Sequence, residues 1–170
     1  MSLADHNHRL FCFGVGYVAT ALARAVVPDG WRCAGTSRSE ADCRQLEALG
    51  IAAYPLDRDR PLAGCTQLLA ASSHILVSVP PDAAGDTVLD HHSEDIAVHG
   101  AAKWIGYLST TGVYGNRDGN WVDETTSLNP TSERGHRRMA AEARWLELGR
   151  RAGLPMHVFR LAGIYGPGRN

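Results

Sequence analysis

Residues 13–23 read FGVGYVATALA, and Gly14, Gly16 and Ala19 stand in the spacing G-x-G-x-x-G/A. The stretch follows a short apolar run, Arg9 to Phe13, that reads as a strand. Its own apolar spacing, continued through "GVGYVATALARAVV", predicts a helix. A strand that turns directly into a helix has a use for each small residue. The first glycine allows the tight turn, the second lets backbone approach a pyrophosphate, and the third position lets helix pack closely on strand. The helix then offers unpaired N–H groups and a positive dipole end to the phosphates. Gly14, Gly16, Tyr17 and Val18 are therefore expected to cradle a dinucleotide. The plain alternative is a tight turn that binds nothing.

Outward from that turn, short β-type runs alternate with longer Ala/Leu/Arg stretches. Trp31 to Thr36 reads as a second strand, and "SEADCRQLEALG" as a helix with Ser39 as its N-cap and Gly50 as its stop. Ile51 to Leu56 makes a third strand, followed by the loop "DRDRPLAG". "HILVSVPP" is a fourth strand closed by two prolines, and Asp86 to Ala101, bracketed by Gly85 and Gly100, reads as a helix. "WIGYLST" is a fifth strand, with a long polar loop after it. Thr131 to Ala152 is a helix and "MHVFRLA" a sixth strand. Near-continuous apolar strands alternating with helices imply a parallel sheet covered on both faces. The expected fold is α/β, a single doubly wound Rossmann domain over residues 1–170, with about six strands in the order 3-2-1-4-5-6.

Composition narrows the partners. With 44% hydrophobic and 21% charged residues and a net charge of −1, the chain is of ordinary globular type, which gives no case for nucleic acid or a membrane surface. No apolar run approaches the length of a membrane span. The opening "MSLADHNHRLF" lacks the charged and apolar regions of a secretory leader. Cys12, Cys33, Cys43 and Cys65 form no C-x-x-C pair and read as small buried hydrophobes, so a reduced cytoplasmic setting is expected. The eight histidines are scattered, and no metal site is expected.

The end of the second strand bears on which dinucleotide. An NAD-selective site places an acid there for the ribose 2′-hydroxyl. Here the stretch is "GTSRSE", with Ser37 and Arg38 and no acid before Glu40. A hydroxyl and a guanidinium suit a 2′-phosphate, so NADP(H) is expected ahead of NAD. The alternative for Arg38 is a solvated side chain at a helix start. Ser78 and Pro80, where the fourth strand ends, complete the expected cofactor-binding set.

"YLSTTGVYG" and then "VDETTSLNP" resemble the fifth-strand region of extended short-chain dehydrogenases, the nucleotide-sugar epimerase and dehydratase family. "FRLAGIYGPGRN" resembles the same family's sixth strand and the substrate-facing turn after it. These matches follow the glycine loop in the family's order, over nearly the whole chain. The loop departs at Phe13, which stands where many members have their first glycine. The resemblance implies a reaction in which a tyrosine moves a proton while nicotinamide moves a hydride, with a lysine four residues on lowering the phenol's pKa and a Ser or Thr orienting the substrate. Aligned on "RRMAAE", Arg134 falls at the tyrosine position and Arg138 at the lysine position. Thr110, four residues before Tyr114, falls at the Ser/Thr position.

Guanidinium does not deprotonate in proteins and accepts no hydrogen bond, so Arg134 cannot be a general base. Thr110, Tyr114, Arg134 and Arg138 remain the candidate catalytic set, with Tyr165, Glu133 and His136 as weaker ones. In "NPTSERGHRRMAAE", Arg134 and Arg138 lie four apart and share one helix face. That face reads either as a solvated basic surface or as a grip on an anionic ligand or the cofactor's phosphates. The resemblance also implies a further C-terminal substrate part beyond Asn170, so the domain is expected to be incomplete, with an apolar face that favours a homodimer. Two functions stay open. One is an oxidoreductase or epimerase-like enzyme acting on a small substrate, anionic or nucleotide-linked. The other is an NADP(H)-binding or redox-sensing module without turnover.

Overall fold

Strand side chains alternate between the two faces of a sheet, and here that alternation sorts the core into two layers. A computed structural model describes residues 8–169. On β1 (Arg9–Phe13), Phe11 and Phe13 face one layer while Leu10 and Cys12 face the other. On β4 (His74–Val77), Ile75 and Val77 join the first layer and Leu76 the second. The second layer packs under α1 (Tyr17–Val26) and α2 (Glu40–Glu47), through Ala19, Ala23, Cys43 and Leu46. The first packs under α3 (Cys65–Ala70), α4 (Thr87–Ala97) and α5 (Glu133–Ala152), with Trp145 at its centre. Helices thus cover both faces, as expected.

With β2 (Arg32–Ser37), β3 (Ala52–Pro55), β5 (Trp104–Thr110) and β6 (Met156–Leu161), the sheet has six strands in the order β3-β2-β1-β4-β5-β6. Every pairing is parallel. The expected order is the observed one. Because β1 and β4 lie side by side but feed helices on opposite faces, their carboxyl ends diverge and open a crevice there.

Local differences have local causes. Ser39 caps α2 as expected, its Oγ accepting from Asp42 N–H at 3.1 Å. That helix ends at Glu47, before Gly50. Helix α3 was not expected. Its six residues follow Gly64 in the left-handed region with no side-chain cap, so it carries neither a start signal nor a full apolar period. Helix α4 ends at Ala97 rather than Ala101. His99 Nε2 instead meets the Ser72 carbonyl at 2.9 Å, tying the next turn to the foot of β4. The four cysteines are free and buried. Among the described residues no helix is long and apolar enough to cross a membrane. The leader reading rests largely on residues 1–7, which lie outside the described residues, as does Asn170.

The amino ends of the strands carry a ladder of rings. His8 stacks on Trp31 at 4.7 Å, His74 meets Trp31 edge-on at 4.7 Å, and Trp104 follows at 6.4 Å from His74. Burial first, then the neighbouring His8 and Lys103, hold the His74 pKa below its ordinary value. The unfolded chain binds a proton on this histidine near pH 6.5, the folded one only at lower pH. The contribution of His74 is therefore fully present above about pH 6.5 and is lost as pH falls through the lower, folded value. Urea midpoints at pH 7.5 and pH 5 are expected to drop further for the wild type than for His74→Gln. An equal drop would remove His74 from the acid response.

Candidate functional site

The glycine turn is pinned from both sides. Gly14 sits at φ +85°, a backbone conformation open to glycine at little cost. Its N–H donates to Thr36 Oγ1 at 2.9 Å, and Val15 N–H donates to the Thr36 carbonyl at 2.7 Å. From the other side Ser78 Oγ donates to the Gly14 carbonyl at 2.6 Å. Gly35 lets the turn sit against β2, since a Cβ there would lie 2.4 Å from the Cys12 carbonyl oxygen. Helix α1 then begins at Tyr17 with Gly16 as N-cap and no side-chain cap. Helix geometry leaves the first N–H groups, at Tyr17 and Val18, without intrahelical acceptors.

Two cavities meet at this turn. The larger, of about 610 Å³, runs over the carboxyl ends of β1, β2 and β3 and includes Gly14, Ser37 and Arg38. The smaller, of about 310 Å³, lies between α1, the end of β5, α5 and the turn after β6, and includes Tyr17, Val18 and Thr110. Gly16, Ser78 and Pro80 belong to both walls, so the two form one crevice across the β1/β4 switch. The structure therefore brings all eight expected cofactor residues to that crevice.

The larger cavity is mixed in charge. Arg58 lines it but is held by Asp82 at 2.9 Å and by Asp90. Hydrogen bonds from Arg58 keep the Asp82 carboxyl below its usual range. Arg60 is engaged by Asp57 at 3.3 Å and Glu40 at 3.6 Å and donates to the Arg38 carbonyl at 3.0 Å. Arg38 is exposed and, among the described residues, its guanidinium has no hydrogen-bond or ion-pair partner. Asp42 and Asp57 stand on the same wall.

In the smaller cavity, Arg134 and Arg138 lie on one face of α5, whose N-cap Ser132 accepts from Gly135 N–H at 3.1 Å. Arg138 is buried, and its Nη1 donates to the Leu108 carbonyl and, at 3.4 Å, to the Tyr107 hydroxyl. Arg134 is exposed at the mouth. Thr110 Oγ1 accepts from Gly112 N–H at 3.1 Å and so caps the short 3-10 turn that follows β5. The cavity wall does not include Tyr114, in contrast to its expected place in the catalytic set. Its ring is buried under Arg160, 5.0 Å from guanidinium carbon to ring centre, and its hydroxyl accepts from Arg160 at 2.9 Å. Tyr107 is fully buried, and desolvation raises its phenol pKa further from neutrality. Glu133 pairs with Arg137 at 2.8 Å, His136 Nδ1 meets the Ser132 carbonyl at 2.9 Å, and Tyr165 is exposed.

Sequence reasoning missed three residues here. Arg169 lies 5.4 Å from the Tyr17 ring centre and closes the smaller cavity from the C-terminal turn. Ser109, next to Thr110, lines its floor. Arg160 anchors Tyr114 and pairs with buried Glu142 at 2.9 Å. Adjacency in "STT" and in "GPGRN" pointed near the first two, and nothing local pointed to the third.

Cys65, His92 and Asp95 also cluster. His92 Nε2 accepts from Leu62 N–H at 2.9 Å, so Nδ1 carries the proton and faces Asp95 at 2.9 Å. Burial, and then the neighbouring Asp95, push the Cys65 thiol up to about 12. The cluster straps α3 and its preceding loop to α4.

The chain matches no known family profile. A conserved protein of unknown function from Silicibacter pomeroyi superposes with a TM-score of 0.83 at 45% identity, over 95% of this chain and 56% of that one. The UDP-glucuronic acid 4-epimerase of Bacillus cereus, solved with NAD, superposes with a TM-score of 0.73 at 15% identity, over 94% and 58%. The fold is Rossmann-like. At that identity the epimerase speaks for architecture alone. Protein YeeZ of Escherichia coli is 28% identical over 166 residues, spanning 92% of this chain and 59% of its own length. The chain thus covers little more than half of each of these relatives.

Proposed function

We propose that the crevice binds a nicotinamide dinucleotide, NADP(H) ahead of NAD(H), as the cofactor part of an atypical short-chain dehydrogenase of the epimerase/dehydratase kind. The observation that carries this is the continuity of the two cavities through Gly16, Ser78 and Pro80. One ligand can then lie with its adenosine end over β2 and its nicotinamide end over β5, its pyrophosphate on the amides of Tyr17 and Val18. The residues fit such a group, because a Cβ built on Gly16 would meet nothing within 4 Å. When bound, the nicotinamide supplies hydride transfer.

The chain's own residues position rather than titrate. Arg134 and Arg138 offer donors and no acceptor, and Tyr107 is sealed in the core. Ser109 and Thr110 are left to orient a substrate oxygen. Among the described residues the smaller cavity's wall carries no carboxylate or histidine, and its one phenol, Tyr17, donates to the Pro167 carbonyl at 3.3 Å. That favours the second reading, an NADP(H)-binding or sensing module without turnover. On the cofactor, Asp42 and Asp57 beside Arg38 favour NAD as the alternative, since an acid can hold the ribose hydroxyls.

Fluorescence titrations with NADPH and NADH, run on wild type and Arg38→Ala, decide the preference. Loss of a guanidinium–phosphate pair is expected to weaken NADPH by about 1–3 kcal/mol and leave NADH nearly unchanged. Equal losses for both cofactors would sink the 2′-phosphate assignment.

A further inference from the structure

Among the described residues the smaller cavity holds three arginines and no acid. Arg134, Arg138 and Arg169 share its wall with apolar, glycine and hydroxyl residues only. By contrast Arg58 is paired with Asp82 and Asp90, Arg137 with Glu133 and Arg160 with Glu142. Among the described residues, none of the three cavity arginines pairs with a carboxylate. Two polar atoms of the same wall are buried without a partner. They are Ser109 Oγ, on a residue 6% exposed, and Arg138 Nε, on a residue 7% exposed. A buried hydroxyl and a buried cationic N–H left unmatched cost free energy, and native proteins leave few of them. Both are donors, and an acceptor-rich group seated against this wall is the kind of partner they lack.

We propose that this cavity binds the carboxylate of a small acidic substrate. A carboxylate has the planar, two-oxygen shape that guanidinium holds bidentately. Arg134 and Arg138 stand one helical turn apart at the mouth and the floor, and Arg169 closes the opposite side over Tyr17. A cavity of about 310 Å³ that also receives the nicotinamide end leaves room for a short acid rather than a nucleotide-linked sugar. The pyrophosphate has the amides of Tyr17 and Val18, which leaves the α5 arginines for a second anion. The assignment rests on the dinucleotide reading only for which atom of the acid faces a cofactor.

Isothermal titration of the 170-residue chain with malonate at low salt, with malonamide as its uncharged match, tests this. Malonate is expected to bind saturably and malonamide not at all. Arg134→Met is expected to weaken malonate about tenfold or more, the loss of one charge-assisted pair. Ser109→Ala should weaken it less, and Arg137→Met, on the adjoining face, should leave it unchanged. Saturating NADPH should leave malonate affinity intact. Absence of saturable binding, or full affinity in Arg134→Met, would overturn the proposal. So would competition between malonate and NADPH, which would give the arginines to the cofactor's own phosphates. If NADPH fails to bind while malonate keeps this pattern, the anion site stands and the dinucleotide reading falls.

Discussion

Arg160→Met is expected to destabilise the fold by about 3–5 kcal/mol, lowering Tm by roughly 10 °C. The reason is what the substitution leaves behind. Glu142 on α5 is 2% exposed, and Arg160 on β6 reaches it at 2.9 Å while also donating to Tyr114 and to the Glu124 carbonyl. Methionine fills much of the same volume but strands a buried carboxylate and a buried phenol together. Removing the acid as well separates this from simple loss of packing. The pair Arg160→Met with Glu142→Leu is expected to recover most of the loss, because two apolar groups replace an ion pair at little net cost. Thermal unfolding of the two single variants and the double closes the cycle. Purely additive losses would show that the pair contributes nothing beyond its atoms.

That same trio shows where reading the sequence stops. Strand and helix identities follow from periodicity, so the β1–turn–α1 unit and the sheet order were legible from FGVGYVATALA and the apolar runs after it. The placement of Arg134 and Arg138 on one face followed from their spacing alone. Tyr114 did not follow. The V-Y-G motif put it near the crevice, but its hydroxyl goes to Arg160, 46 residues away, which is held by Glu142, 18 residues before that arginine. A buried ion pair between α5 and β6 pulls that tyrosine out of the solvent-facing set, and no local pattern announces such a pair. Arg169 is similar. It reaches the cavity because the C-terminal turn packs on Tyr17, whose hydroxyl donates to the Pro167 carbonyl at 3.3 Å across 150 residues of sequence.

Gly16→Ala is expected to separate binding from stability. Gly16 sits at φ −92° and ψ −161°, which alanine adopts without strain, and the added methyl would meet nothing within 4 Å. As an N-cap with no side-chain bond it loses little, so stability should change by no more than about 1 kcal/mol. The open space is nonetheless common to both cavities, where a dinucleotide backbone would have to pass. A methyl on a pinned turn cannot yield to it, and overpacking of that kind costs about 1–3 kcal/mol, or roughly 5- to 150-fold in Kd for NADPH. Gly14→Ala should behave differently. At φ +85° its methyl would stand 3.0 Å from Val79 Cγ2, so both stability and affinity should fall. Thermal unfolding beside NADPH titration distinguishes the two. Wild-type affinity in Gly16→Ala would take the dinucleotide off this turn. A stability loss as large as that of Gly14→Ala would mean that the second glycine serves the fold, and that the gap above it is not a ligand's path.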